Sequence, residues 1–523
     1  MVAGSITFQR IAFNAGDGTG LNANAPTTSP ARGIVVEALA QAGRTVLDTT
    51  TTGPTGAYTL TVPSNTMILI SAKAQMLKAD AVPTWNVQVL NNTNGDALYT
   101  LESSAFNTGS TATSDRNLLA ATGFSSGSYT GTRAAAPFAI LDTIFAAQQL
   151  IVSAAAGTVF PALDVFWSDQ NRTTGVEFCI DSGDIGTSFY VALAGSDDCA
   201  PLVSPGIYLV GAFDGGSGDT DEFDQHVIAH EFGHYIENKF SRSDSIGGPH
   251  GLGDLLDLRL AFGEGWGNAI SAMTLNDPRY RDSFDGIGND FGFNLESESE
   301  TAPGWYSETS AGAIIWDLFD ATSAAEPFDT VSAGFTPIFA AMTGQQRTSD
   351  ALTSLFSFLQ GYSAANPADA AAVAQLRSAQ QIFGTDEFGS GETNDGGDAS
   401  VLPVYGSVSL NQAPQIVCVN AANGADNKLG FRKFFVLQLP ANSTVSVDAL
   451  AAVDPGNSGS EAASDPDIFV YRRGAEVLRG EAAGPDESIA QQPLSAGTYV
   501  IELFDFAALG PVPRCMNFSI TGG

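Results

Sequence analysis

The stretch His230-Glu231-Phe232-Gly233-His234 sets two of the chain's four histidines four residues apart, inside a run with helical spacing. An α-helix turns once every 3.6 residues or so, so both imidazoles project from one face and can share one ion. Imidazole nitrogen suits zinc, and two such ligands on a rigid helix fix part of a tetrahedron. Glu231 lies beside the first histidine at the same rim, where a carboxylate can take the proton of a water that the metal activates. These residue types in this order point to metal-assisted hydrolysis.

A hydrolytic zinc needs a third protein ligand and one position left open. Cysteines are ruled out if they are paired. A third histidine in the pattern H-x-x-G-x-x-H is absent, because Ile236, Glu237 and Asn238 continue the helix after His234. The remaining class takes a glutamate from a second helix, and Gly263-Glu264-Gly265-Trp266-Gly267-Asn268 opens one 30 residues after His234. Glu264 is therefore the expected third ligand. Asn268, one turn on, is expected to reach the far nitrogen of a liganding histidine. His226 sits one turn before His230 and is expected to be a partly exposed polar residue near the helix start. Asp224 suits the same helix N-terminus.

Those side chains need elements to hold them. One helical pattern, from Glu222 to Phe240, carries the pentapeptide, and another, from Leu255 to Met273, carries Glu264. A helix over Pro137 to Ser153 precedes short strands at Leu163 to Trp167, Glu177 to Ile180, Ser188 to Leu193 and Ile207 to Val210. Helices return at Ala311 to Asp320, Thr336 to Met342, Ser349 to Tyr362 and Ala368 to Phe383, so residues 134–400 have an α+β layout. Residues 1–105 read as a β-sandwich of short β-branched runs, 106–133 as a Ser/Thr/Gly-rich linker or long loop, and 401–523 as a second β-sandwich. The expected fold class is multidomain, an α+β catalytic domain flanked by two all-β sandwiches.

"DQHVIAHEFGHYIE" followed by "LAFGEGWGNAISAM" resembles the Glu-zincin metallopeptidases of the thermolysin and fungalysin type. The resemblance implies a zincin-like domain that hydrolyses peptide bonds, with His230, His234 and Glu264 holding Zn2+ and Glu231 as general base. It also implies that Ile207 to Val210 is the edge strand that binds substrate backbone. Two departures stand out. Asn268 occupies a position where the family usually has Asp, and no family histidine stands where the oxyanion-steadying group is expected. Tyr306 is the first candidate for that role and His250 the second. The run "GIVVEAL…TVLDTTTTGPTGAYTLTVPSN" resembles the carboxypeptidase regulatory-like repeat, and "DPDIFVYRRG…ESIAQQPLSAGTYVIELFDF" resembles the bacterial pre-peptidase C-terminal (PPC) domain, an accessory β-sandwich.

Lys and Arg total 22 against 57 Asp and Glu, a formal net charge of −35. Such a field repels phosphate backbones and anionic headgroups, so nucleic acid and membrane are excluded as expected partners. No long charge-free apolar run reads as a membrane span; the longest candidate, Ala134 to Ala147, is broken by Pro137 and Asp142. Met1 to Ser5 has no basic-then-apolar export signal, so the chain is either cytosolic or has had its signal trimmed. The four cysteines fall into two local pairs, Cys179 with Cys199 and Cys418 with Cys515, which suits two disulfides and an extracellular or cell-surface location. Acidic loops at Asp214 to Asp224, Asp282 to Asp290, Asp395 to Asp398, and Asp465 with Asp467 are candidate Ca2+ sites. The expected function is a secreted zinc metalloendopeptidase acting on protein or peptide. Its rival is a surface or adhesion protein that uses a peptidase-like domain as scaffold.

Overall fold

The computed structural model describes the chain except residues 17, 174–177, 200–202, 215–216, 285, 298–301, 322–325 and 454–463. The chain forms two compact units, one of Met1–Tyr235 with Ile270–Asn294 and one of Ile236–Ala269 with Leu295–Gly523.

The first unit is built on a ten-stranded sheet. Its main path runs Phe189–Val191, Gly206–Leu209, Leu163–Trp167, Trp85–Asn91, Met67–Lys78, Ile34–Ala40 and Val46–Thr51. The ladders are parallel where Leu163–Trp167 lies between Trp85–Asn91 and Gly206–Leu209, and antiparallel elsewhere along this path. The sheet therefore crosses the boundary expected after residue 105. Trp85–Asn91 has a partner on each side, Met67–Lys78 and Leu163–Trp167, so the first 105 residues do not close into a separate sandwich. The segment read as a linker is also tied in. Phe106–Asn107 pairs with Met67 and Ile68, and Leu118–Ala120 pairs in parallel with Ile6 to Phe8. Glu177 lies outside the described residues, and Ile180 opens a short 3-10 turn rather than ending a strand.

Helix α1 (Ala136–Ala154) has Pro137 in its first turn, where the missing amide hydrogen costs nothing. Phe138, Leu141, Ile144 and Ile151 are buried, and Phe145 meets Trp85 edge-on at 6.1 Å. This helix is long and apolar enough to cross a membrane, with 61% of its most apolar window buried inside the protein. Asp142 receives Arg10 at 2.9 Å and Arg32 at 2.6 Å.

The second unit ends in two sheets. One has the order Tyr405–Val408, Arg432–Leu439, Gly497–Asp505, Pro466–Arg472, Ala475–Gly480; the other Gln415–Val419, Arg514–Gly522, Ser443–Ala452, Asp486–Leu494. Alternating residues from both, among them Leu437, Val470, Ile501, Val447, Met516 and Phe518, make a shared core. This is the sandwich expected over 401–523. Cys418 and Cys515 are register partners on adjacent strands and are bonded to each other.

A buried ionic network joins this sandwich to the segment that carries Glu264. Arg259, 1% exposed, donates to both oxygens of Asp257 and, at 2.8 and 3.2 Å, to both oxygens of Glu502. Arg432 donates to Glu502 as well. Burial alone would raise the Glu502 pKa, but the two guanidinium groups outweigh it and hold the carboxyl down at about 2.

Truncating one member of such a network strands a buried charge, so Glu502→Ala is expected to cost about 3–5 kcal/mol in urea unfolding at neutral pH. A depressed folded-state pKa stabilises above the unfolded value and loses that contribution on acidification. The gap between wild type and variant should therefore shrink as pH falls from 4.5 towards about 2. The second disulfide closes 97 residues, and replacing Cys418 and Cys515 by Ser is expected to lower stability by about 2–5 kcal/mol in the same assay.

Candidate metal centre

Helix α2 (Gln225–Phe240) starts later than its apolar pattern suggests, because Asp221–Phe223 forms a 3-10 turn first. The Asp224 carbonyl accepts the first helical bond, from the Ile228 amide, at 3.1 Å. His226, His230 and His234 then follow at one-turn intervals along one face. The Nε2 atoms of His230 and His234 are 3.0 Å apart, and their rings meet edge to face with centroids 4.7 Å apart. Two nitrogens bound to one zinc at about 2.0–2.1 Å and a tetrahedral angle lie about 3.3 Å apart. The pair is therefore close to a chelating geometry. His230 and Glu231 are both 7% exposed.

His226 is buried, not partly exposed as its place near a helix start suggested. Its Nδ1 pairs with Ser271 Oγ at 3.1 Å, and Tyr280 tilts over it at 5.5 Å. Burial, with Arg281 and His230 adding to it, pushes its pKa down to about 3, so it is neutral at ordinary pH. Tyr280 also meets His230 edge-on at 5.9 Å and stacks on Phe293 at 5.0 Å. The strand Arg279–Phe284 thus backs the histidine face with Tyr280, itself stacked on Phe293 of the paired strand Asn289–Asn294.

Glu264 lies on helix α3 (Leu258–Leu275). The glycine after it has a physical reason: a Cβ on Gly265 would come within 2.5 Å of the Ala311 Cβ. Helix α4 (Glu308–Phe319), capped by the Ser307 hydroxyl, approaches α3 there. Asn268, one turn after Glu264, is buried, and its Cβ would stand 3.5 Å from a Cβ on Gly312.

His250, the second oxyanion candidate, is exposed and reaches Glu264 at 3.3 Å and Glu308 at 4.0 Å. Burial of its ring would lower its pKa, but hydrogen bonding and charge from Glu264, with Glu308 behind, raise it to about 10. Tyr306, the first candidate, is 2% exposed, and its hydroxyl donates to Asn394 Oδ1 at 2.8 Å. Its ring packs edge-on against Trp305 at 5.3 Å.

The strand holding Ile207 to Leu209 is not an edge. Phe189–Val191 pairs along it in antiparallel register and takes the end of the sheet path. Tyr190 of that end strand meets Tyr235 of α2 edge-on at 6.2 Å.

Among the described residues, two groupings of metal-ligating side chains fall within a single unit: His250 with Glu264 and Glu308, and Asp219 with Asp221 and Asp282. The last joins residues of the turn before α2 to one in the strand Arg279–Phe284, which sequence spacing keeps apart. Burial raises all four carboxyls of its neighbourhood, Asp219 to about 6 and Asp221, Asp224 and Asp282 well above the usual range. Asp395 and Asp398 accept amides two residues on, from Gly397 and Ser400, as ordinary turn residues do. Asp465 accepts the Gly484 amide at 2.7 Å. Burial, helped by Asp465 and three further acids, raises Asp467 to about 7. Part of the Asp214 to Asp224 loop lies outside the described residues, as does residue 285 in the loop from Asp282 to Asp290. All four cysteines are paired, Cys179 with Cys199 and Cys418 with Cys515.

No family model matches the chain, and no curated protein matches it. Among solved structures, it is similar to the pre-peptidase C-terminal domain of a collagenase from Bacillus anthracis, with TM-score 0.16 and 8% identity over 22% of this chain and 94% of that one. It is also similar to PliG from Aeromonas hydrophila, a periplasmic inhibitor of g-type lysozyme, with TM-score 0.15 and 10% identity over 23% of this chain and 97% of that one. A β-glucosidase from Paenibacillus barengoltzii gives TM-score 0.12 and 13% identity over 23% of this chain and 11% of that one. Each likeness is confined to less than a quarter of the chain.

Proposed function

We propose that the chain is a secreted zinc-dependent metallopeptidase of the Glu-zincin type. The observation that carries the reading is the pair of Nε2 atoms of His230 and His234, 3.0 Å apart on one helix face with Glu231 beside them. Two imidazole nitrogens and a carboxylate are the donor set of a hydrolytic zinc site, and Glu264 on α3 is the carboxylate we assign as the third ligand. Zinc held there would polarise a scissile carbonyl and make water a better nucleophile at neutral pH.

The chain's own residues do the rest. Glu231 takes the proton of the attacking water and passes it to the leaving amine. His250, at the rim beside Glu264, is the group we assign to the oxyanion. Tyr306 is set aside for that role because its hydroxyl is committed to Asn394. Asn268 orients a liganding imidazole without adding charge. The end strand Phe189–Val191, held beside α2 by the Tyr190–Tyr235 contact, offers backbone groups on which an extended peptide can add as a further strand. Two disulfides support an oxidising, extracellular setting.

Elemental analysis of protein purified without added metal is expected to give about one zinc per chain, lost in Glu264→Ala and in His230→Ala. Glu231→Gln should keep the zinc and lose peptide hydrolysis by roughly 10²–10⁴-fold. A wild type that takes up no zinc even when supplied with it would refute the reading. The chain would then be better described as a surface or adhesion protein on a peptidase-like scaffold.

A further inference from the structure

His250 stands on a segment with little structure of its own. Residues 245–254 contain four glycines, and Gly247, Gly248 and Gly253 take left-handed φ values of 61°, 94° and 84°. No helix or strand runs through them. Such a segment has many conformations open to it, so fixing a ring at its centre costs entropy that other contacts must offset. Its internal bonds reach no further than three residues. Gly247 donates to Ser245 Oγ at 3.2 Å, Gly251 donates to Asp254 Oδ2 at 3.0 Å, and the His250 ring meets the Gly248 carbonyl at 3.1 Å.

The holding contacts come from the C-terminal sandwich, just ahead of its strand Arg432–Leu439. Asn427, 3% exposed, donates Nδ2 to the Gly247 carbonyl at 2.9 Å and to the Pro249 carbonyl at 3.2 Å. Lys428 donates Nζ to the same Pro249 carbonyl and to Asn427 Oδ1, each at 2.7 Å, with Asp254 at 3.4 Å. The Asn427 amide therefore spends both hydrogens and its oxygen on this contact. Gly248 has its reason here too, since a Cβ on it would lie 2.9 Å from Asn427 Nδ2. Two backbone bonds of 2.8 Å then set the chains in register, from the Asp257 amide to the Asn427 carbonyl and from the Leu429 amide to the Leu255 carbonyl. Helix α3, with Glu264, starts directly after.

We propose that Asn427 and Lys428 are positioning residues: the C-terminal sandwich holds residues 247–251 so that His250 stands against Glu264. The proposal rests on the oxyanion role given to His250 above. The ring so placed meets two buried carboxylates from different helices, Glu264 at 3.3 Å and Glu308 at 4.0 Å. A misplacement of about 1 Å at a reacting centre can cost about 10²-fold in rate. The sandwich thus takes part in the chemistry and is more than an appended module.

The test uses the full chain supplied with zinc, and measures amide hydrogen exchange by mass spectrometry beside peptide hydrolysis. In Asn427→Asp and Lys428→Met, residues 246–253 should exchange several-fold faster, with α3 and the sandwich core unchanged. Lys428→Arg, which keeps a donor for the Pro249 carbonyl, should exchange like wild type. Both disruptive variants should lose about 10–10²-fold in kcat, with KM altered less. Zinc content should equal that of wild type in all of them. The double variant Asn427→Asp/His250→Ala should be no slower than His250→Ala alone, because the first change acts through the second residue. A merely structural role would make the two losses add. Unchanged exchange over residues 246–253, or additive losses, would overturn the proposal. A wild type that takes up no zinc and hydrolyses no peptide would instead sink the peptidase reading, and the exchange comparison would still decide whether the sandwich holds the loop. If Asn427→Asp does not fold, Lys428→Met enters the same cycle with His250→Ala.

Discussion

With 57 acidic side chains and only 22 basic ones, this chain cannot match most of its carboxylates with cations of its own, and its architecture depends on where the few cations go. They sit at joints. Arg10 and Arg32 converge on Asp142 in α1, Arg133 holds Glu222 ahead of α2, and Arg259 ties Asp257 to Glu502. Each joins segments far apart in sequence, and each is at least partly shielded from water, where a pair interacts more strongly than at the surface. Other carboxylates gather with one another. The aspartates before α2 are one such group. Asp317, Asp320 and Glu326 are another, pushed by burial and mutual repulsion up to about 9, 8 and 7.

Helices α3 and α4 are set by close approach as much as by charge. Gly265 lets α4 come against α3 where any side chain would clash with Ala311, and Glu264 is the residue just before it. In the other unit, Tyr280 and Ser271 fill the space around His226 and leave that ring neutral inside the protein. The His230 face is thereby presented by packed neighbours, which lowers the entropy cost of holding the two imidazoles in one orientation.

What could be read in the sequence was what is local. The pentapeptide, its helix and the helix after it follow from spacing alone, and the C-terminal strands follow from alternation. The failures all concern partners distant along the chain. The family resemblance makes Ile207 to Val210 an edge strand, but nothing local announces that Phe189–Val191 will pair outside it. The Ser/Thr/Gly-rich run after residue 106 looks like a linker because its strands are two or three residues long and are defined only by what they pair with. His226 stands near a helix start, where exposure is usual, until a strand more than 50 residues later covers it. Asp282 joins Asp219 and Asp221 for the same reason. The sequence puts Tyr306 ahead of His250, because only the fold gives one hydroxyl to Asn394 and the other ring to Glu264.

The link between Arg259 and Glu502 bears on the history of the molecule as well as its stability. A β-sandwich at the end of a chain is commonly a portable part, exchanged or trimmed without harm to what precedes it. Here the guanidinium that opens α3 finds two of its acceptor atoms 243 residues away, on the strand Gly497–Asp505. A recombination or proteolytic event that parts the two leaves a charged group in the interior, five residues from Glu264. The sandwich and the helix are thus constrained to be inherited together. Any maturation of the protein by cleavage must spare the C-terminal strands or find another acceptor for that arginine.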